Sequence, residues 1–253
     1  MHKVTTGHGA PVVMVHCMLA RHESLLPLAA VIGGHATLFD LPGHGRSPDW
    51  DGAQDYQTQA VAWAAACCDG PAHLIGHSFG ATVALRLAVD RPDLVSRLTL
   101  IEPVYFAAAR GTPAHADHAA GFRPFLEAMA ADDQSCAAAR FNAVWGAQPW
   151  DALPPRTQGY LMDRIHLVTA SGRAIEDDPA GITTAACLAQ VTVPVALIRG
   201  ADSPPVIAAI HAALAHRLPD AVDHVVAGAG HMLPLSHTAG VAALIRAAGQ
   251  ETG

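Results

Sequence analysis

Short apolar, β-branched runs alternate with longer stretches rich in alanine and leucine along most of this chain. The short runs suit strands buried on both faces, and the longer ones suit the helices that carry a chain back to its next parallel strand. Strands are expected at residues 12–16, 37–40, 72–75, 98–101, 195–199 and 224–226, and helices at 56–68, 79–89, 206–217 and 238–248. Elements in this order imply an α/β protein with a mostly parallel central sheet and helices on both faces. With 253 residues, of which 51% are hydrophobic and 15% charged, the chain can bury a substantial core.

The alternation stops between residues 104 and 186, where helical segments are punctuated by proline and glycine. Ordinary connections run about 4–6 residues, so this stretch is more than a connector. It is expected to be a helical cap, residues 104–186, on a core made of residues 1–103 and 187–253. Eight of the chain's 13 aromatic residues fall in it: Tyr105, Phe106, Phe122, Phe125, Phe141, Trp145, Trp150 and Tyr160. Most are expected to pack the cap onto the core and some to line a pocket.

A formal charge of −7, with only 15 lysines and arginines, argues against a nucleic-acid partner, whose phosphates need a concentrated excess of cations. The first residues are polar and Gly-rich, unlike a secretory signal, and the apolar runs fall far short of the roughly 20 residues that cross a bilayer. The five cysteines, Cys17, Cys67, Cys68, Cys136 and Cys187, are an odd number and read as reduced thiols. A cytoplasmic protein with no membrane partner is therefore expected, and monomer and homodimer are equally open. His115 and His118 stand three apart, but no HExxH or paired CxxC accompanies them. They are read as exposed helical residues, and neither a metal nor an organic cofactor is expected.

The chemistry is concentrated in two motifs. Gly76-His77-Ser78-Phe79-Gly80 follows an apolar run and opens a helical stretch, the context of a nucleophile elbow. A sharp strand-to-helix turn holds its serine in a strained conformation, and glycines two residues to either side let the chain close. A serine hydroxyl needs a base, and Gly228-Ala229-Gly230-His231 places one after the last expected strand. His237 competes but sits at the entry of the closing helix. Backbone N–H groups of Met18, in the turn after the first apolar run, and of Phe79 are the expected oxyanion hole. His16 is expected to shape that turn by hydrogen bonding.

Taken together these motifs resemble the α/β-hydrolase superfamily, in its capped esterase-like branch, over nearly the whole chain except the cap. The run Asp40-Leu41-Pro42-Gly43-His44-Gly45-Arg46-Ser47 is similar to the family's loop after its next strand, where it is mainly structural. Three features depart from the pattern. Cys17 fills a slot that is usually glycine, implying a strained backbone or an altered oxyanion hole. The short N-terminal stretch leaves room for one leading strand where the family usually has two. The slot of the family's acid, three residues after Gly200, holds Ser203.

Two carboxylates remain for that acid. Asp202 is one residue early, which in an extended segment turns its side chain to the other face. Glu102, at the end of the preceding strand, resembles the site from which some members supply theirs, and it is favoured. The resemblance implies a serine hydrolase acting on an ester or lactone of a small hydrophobic molecule through an acyl-enzyme. Carbon–carbon bond hydrolysis on the same residues and a weakly catalytic ligand receptor are the alternatives, with cofactor-free haloperoxidase activity more remote. A dehalogenase is disfavoured because it needs aspartate where Ser78 stands.

Overall fold

The structure, a computed structural model, describes residues 1–248. Seven strands form one sheet: β1 (Lys3–Thr6), β2 (Pro11–Val15), β3 (His35–Phe39), β4 (Ala72–His77), β5 (Val95–Ile101), β6 (Val195–Gly200) and β7 (Ala221–Val226). Their spatial order is β1-β3-β2-β4-β5-β6-β7. β1 runs antiparallel to β3, and every other neighbouring pair is parallel. A single leading strand precedes β2, as the short N-terminal stretch implied.

The helices are α1 (Leu26–Ile32), α2 (Tyr56–Ala65), α3 (Phe79–Asp90), α4 (Pro113–Ala130), α5 (Gln134–Trp145), α6 (Pro155–Arg164), α7 (His166–Glu176), α8 (Ala185–Leu188), α9 (Pro205–Arg217), α10 (Leu233–Ser236) and α11 (Thr238–Ala247). None is long and apolar enough to cross a membrane. Alternate residues of β2 enter opposite cores. Val13 and Val15 pack with α2, α3 and α9, whereas Val12 and Met14 pack with α1, α10 and α11. Both sheet faces are thereby covered, which explains why the strands read as unbroken apolar runs.

The strand order reverses at β2, which has β3 on one side and β4 on the other. At such a switch point the connections leave on opposite faces, and a crevice opens beyond the carboxyl ends of the two strands. β2 and β4 end there, and His16 and Ser78 are the residues that follow them.

Between β5 and β6 the described chain contains helices and turns and no strand. Local chemistry sets the starts of these helices: Thr112 accepts the N–H of His115 before α4, and Asp133 that of Cys136 before α5. Tyr160 on α6 ties the segment to the sheet, its hydroxyl accepting the Gly45 N–H (3.1 Å) and donating to the Ala20 carbonyl (3.2 Å). The Arg164 guanidinium lies 4.0 Å from the centre of the Tyr160 ring and donates to the Gly43 carbonyl.

Candidate active site

β4 delivers Ser78 and α3 begins immediately after it. Ser78 has φ 57° and ψ −118°, a left-handed conformation costly for a residue with a side chain, and its N–H is anchored on the Ile101 carbonyl at 2.8 Å. A Cβ on Gly76 would collide with the Gly80 carbonyl, and one on Gly80 with the Val15 carbonyl. Both glycines of the motif are therefore sterically required, because the start of α3 lies directly against β4 at Gly76 and against β2 at Gly80.

The structure brings Ser78, His231 and Glu102 together. The Ser78 hydroxyl is 2.9 Å from His231 Nε2, and His231 Nδ1 is 2.9 Å from Glu102 Oε2. A carboxylate only accepts, so Nδ1 carries the proton and Nε2 is left to accept from serine. All three residues are buried. Burial pushes the Glu102 carboxyl up, but hydrogen bonds from His231, the Gly200 N–H and Ser203, with the His231 charge, hold it below the ordinary value.

Ser203, in the slot where a carboxylate was sought, donates to Glu102 Oε1 at 2.7 Å, beside the Gly200 N–H, also at 2.7 Å. Asp202 is exposed, its N–H donating to the Ala229 carbonyl, and its carboxylate belongs to the solvent side of the loop. His237 starts α11 and pairs with Ser236 rather than Ser78. Sequence reasoning missed His77, whose Nε2–H donates to the His231 carbonyl at 2.9 Å and fixes that loop. Burial, and after it the nearby His231, pushes His77 down to about 3, so it serves as a neutral clamp. The histidine inside the elbow motif was the only signal available.

The turn after β2 is braced by two more neutral histidines. His16 donates through Nδ1 to the Cys17 carbonyl (2.7 Å) and accepts the Leu41 N–H, while His44 Nε2 accepts the Leu19 N–H (3.0 Å). Burial pushes His16 down to about 4 and His44 to about 3. The strain expected at Cys17 falls instead on Leu19, at φ 62°. Burial pushes the Cys17 thiol up to about 12, which makes it a packing group and no nucleophile. Met18 and Phe79 face the same cavity as Ser78.

That cavity holds about 280 Å³ and is walled mainly by apolar groups, among them Phe106, Phe122, Phe125, Phe141 and Trp145. Five of the eight aromatics of residues 104–186 therefore line it; Tyr105 instead bonds Gln57, and Tyr160 holds the segment to the sheet. The Trp145 ring meets the His231 ring edge-on at 4.6 Å. His115 and His118 require a correction: neither is exposed. Their side chains are 20% and 8% accessible, and the His118 ring stacks on Phe106 at 4.1 Å, because α4 turns this face toward Phe106 and Trp145. The metal-capable set among the described residues is His2, His22 and Asp40, whose donor atoms lie within 4.8 Å of one another. Asp40 there already accepts from the His22 N–H, His22 Nδ1 and the Arg46 N–H.

Comparison with known proteins agrees with this architecture. The chain is 35% identical over 111 residues to the (E)-2-((N-methylformamido)methylene)succinate hydrolase of Acinetobacter baylyi, a match covering 41% of each chain. It is 42% identical over 88 residues to the lipase LipV of Mycobacterium tuberculosis, covering 34% of this chain and 30% of that one. The matched part thus spans well under half the length of these relatives. A hydrolase from Pseudomonas aeruginosa superimposes with a TM-score of 0.76 at 20% identity, over 98% of this chain and 93% of that one. A thermophilic esterase from Thermogutta terrifontis does so with a TM-score of 0.73 at 19% identity, over 97% and 91%. At these identities the two structures speak for the fold alone. The Alpha/beta hydrolase family model matches residues 12–244, and the chain belongs to that family.

Proposed function

We propose that the protein is a serine hydrolase that cleaves an ester or lactone of a small hydrophobic molecule through an acyl-enzyme. The observation that carries this reading is the unbroken hydrogen-bonded line from the Ser78 hydroxyl through His231 to Glu102, with Ser78 open to an apolar cavity. Names of relatives, among them a lipase and a pimeloyl-[acyl-carrier protein] methyl ester esterase, support ester chemistry.

In this reading Ser78 Oγ attacks the substrate carbonyl carbon while its proton passes to His231 Nε2. The backbone N–H groups of Met18 and Phe79 take the oxyanion, and the positive end of α3 adds to its stabilisation. His231 then gives the proton to the leaving alkoxide, and the acyl group stays on Ser78. Water, deprotonated by the same imidazole, attacks the acyl carbon and releases the acid, returning the proton to Ser78. Glu102 holds the Nδ1–H tautomer throughout and stabilises the imidazolium. Residues 104–186 act as the cap that supplies the apolar wall and excludes water. All five cysteines are free thiols, which supports a reducing, cytoplasmic setting.

A fluorophosphonate probe and a series of p-nitrophenyl esters and lactones of graded chain length test the proposal. Rapid labelling and turnover, both lost in Ser78→Ala, are expected. Well-folded protein that neither labels nor turns over any ester would overturn the hydrolase and favour a ligand receptor.

A further inference from the structure

Among the described residues, the wall of the cavity that contains Ser78 has one ionisable side chain, Glu176, and no lysine or arginine. Glu176 is the last residue of α7, and only its main-chain carbonyl is taken by Arg110. Its carboxylate faces His115 Nε2 at 3.9 Å and His118 Nε2 at 3.8 Å, both too long for a hydrogen bond. His118 Nε2 is shielded from solvent and has no hydrogen-bond partner among the described residues. The Glu176 side chain is 37% accessible and can be solvated, so the under-satisfied group is the buried His118 ring nitrogen. Each buried polar group in that condition calls for a partner.

The position of this pair matters as much as its chemistry. Trp145 meets His231 at 4.6 Å on one side and His118 at 5.9 Å on the other. A row of rings thus runs from His231 toward Glu176. A substrate carbonyl at Ser78 would send its chain along Phe106 and Trp145 and bring the far end of that chain to Glu176.

We propose that the cavity selects esters whose chain carries a hydrogen-bond donor, a hydroxyl or an ammonium, at the end remote from the scissile carbonyl, with Glu176 as the selecting group. This deepens the serine-hydrolase reading and rests on it. A donor at that end pairs with the carboxylate in a charge-assisted hydrogen bond. A carboxylate-ended chain would face the like charge of Glu176 with no lysine or arginine among the lining residues, the nearby bases being the imidazoles of His115 and His118.

The test uses p-nitrophenyl esters of one chain length ending in methyl, hydroxyl, amino or carboxyl, hydrolysed by the wild type and by Glu176→Gln. A donor gains a charge-assisted hydrogen bond whereas a carboxylate meets a like charge, so kcat/KM for the hydroxyl or amino ester should exceed that for the carboxyl ester roughly tenfold. Which of the two leads identifies the donor. In Glu176→Gln that ratio should fall toward one. If the variant does not fold, inhibition of the wild type by matched alkanol, alkylamine and alkanoate serves instead, the alkanoate being the weakest. Turnover of the methyl ester with no discrimination among the other ends overturns the role of Glu176 alone. Failure of every ester, the methyl one included, overturns the hydrolase reading and this proposal with it.

Discussion

Glu102 sits at φ 52°, a conformation that costs free energy for any residue with a Cβ, and it is fully buried. Three donors converge on its carboxylate and offset that cost: His231 Nδ1, the Gly200 N–H and the Ser203 hydroxyl. The arrangement explains how serine can occupy the usual acid position. The carboxylate enters from the neighbouring strand β5, and the serine on the loop after β6 turns to hold it. Glu102→Gln removes the charge that favours the imidazolium and should lower kcat for an activated ester by about two to four orders of magnitude. Asp202→Asn, a change on an exposed side chain, should leave kcat within about twofold, and the opposite pattern in steady-state kinetics would move the acid to Asp202. The sequence offered both carboxylates because it does not display which strand end lies beside His231.

At the scale of elements, the buried parallel strands were legible and the edges were not. β1, the four residues Lys-Val-Thr-Thr, and the seven-residue α1 lack a period long enough to stand out. β7 begins at Ala221, three residues before the expected start, because an edge strand carries exposed polar residues such as Asp223. The helices of residues 104–186 were legible as helices, but their attachment was not. That attachment runs through Tyr160, which bridges the loops after β2 and β3. Tyr160→Phe leaves a backbone N–H and a carbonyl without that partner in a half-buried site. It should lower unfolding free energy by about 1 kcal/mol in urea titration. A variant as stable as the wild type would show that water replaces the hydroxyl at no cost.

The whole molecule is stapled by imidazoles that cannot readily take up a proton. Burial pushes His16 down to about 4 and His44, His73 and His77 to about 3, from 6.5. In the unfolded chain each would titrate near 6.5, so between that value and the folded one the unfolded state binds more protons. Their contribution is complete above pH 6.5 and is lost as pH falls toward 4 and 3. Each histidine contributes a slope of roughly 1.4 kcal/mol per pH unit within its window. Unfolding free energy measured by denaturant at pH 7.5, 6.0 and 5.0 should therefore drop steeply below pH 6.5, and His77→Gln should flatten the drop by about one proton's worth. A flat profile over that range would mean that these rings are protonated within the fold.

The sequence by itself determined the class of fold, the elbow around Ser78 and the loop that carries His231. Each of these is written locally, in residue period, in glycines that spare a collision, and in order along the chain. Tertiary structure alone decided that Glu102 rather than Asp202 meets His231, that Ser203 supports it, and that His118 turns inward against Phe106. It also decided that, among the described residues, Glu176 is the acidic side chain that faces the cavity. Those outcomes depend on strand register and on the docking of residues 104–186, which join positions about a hundred residues apart, such as Glu102 and Ser203. Such pairings leave no periodic mark, because the physics that selects them is contact between distant surfaces rather than preference along the chain.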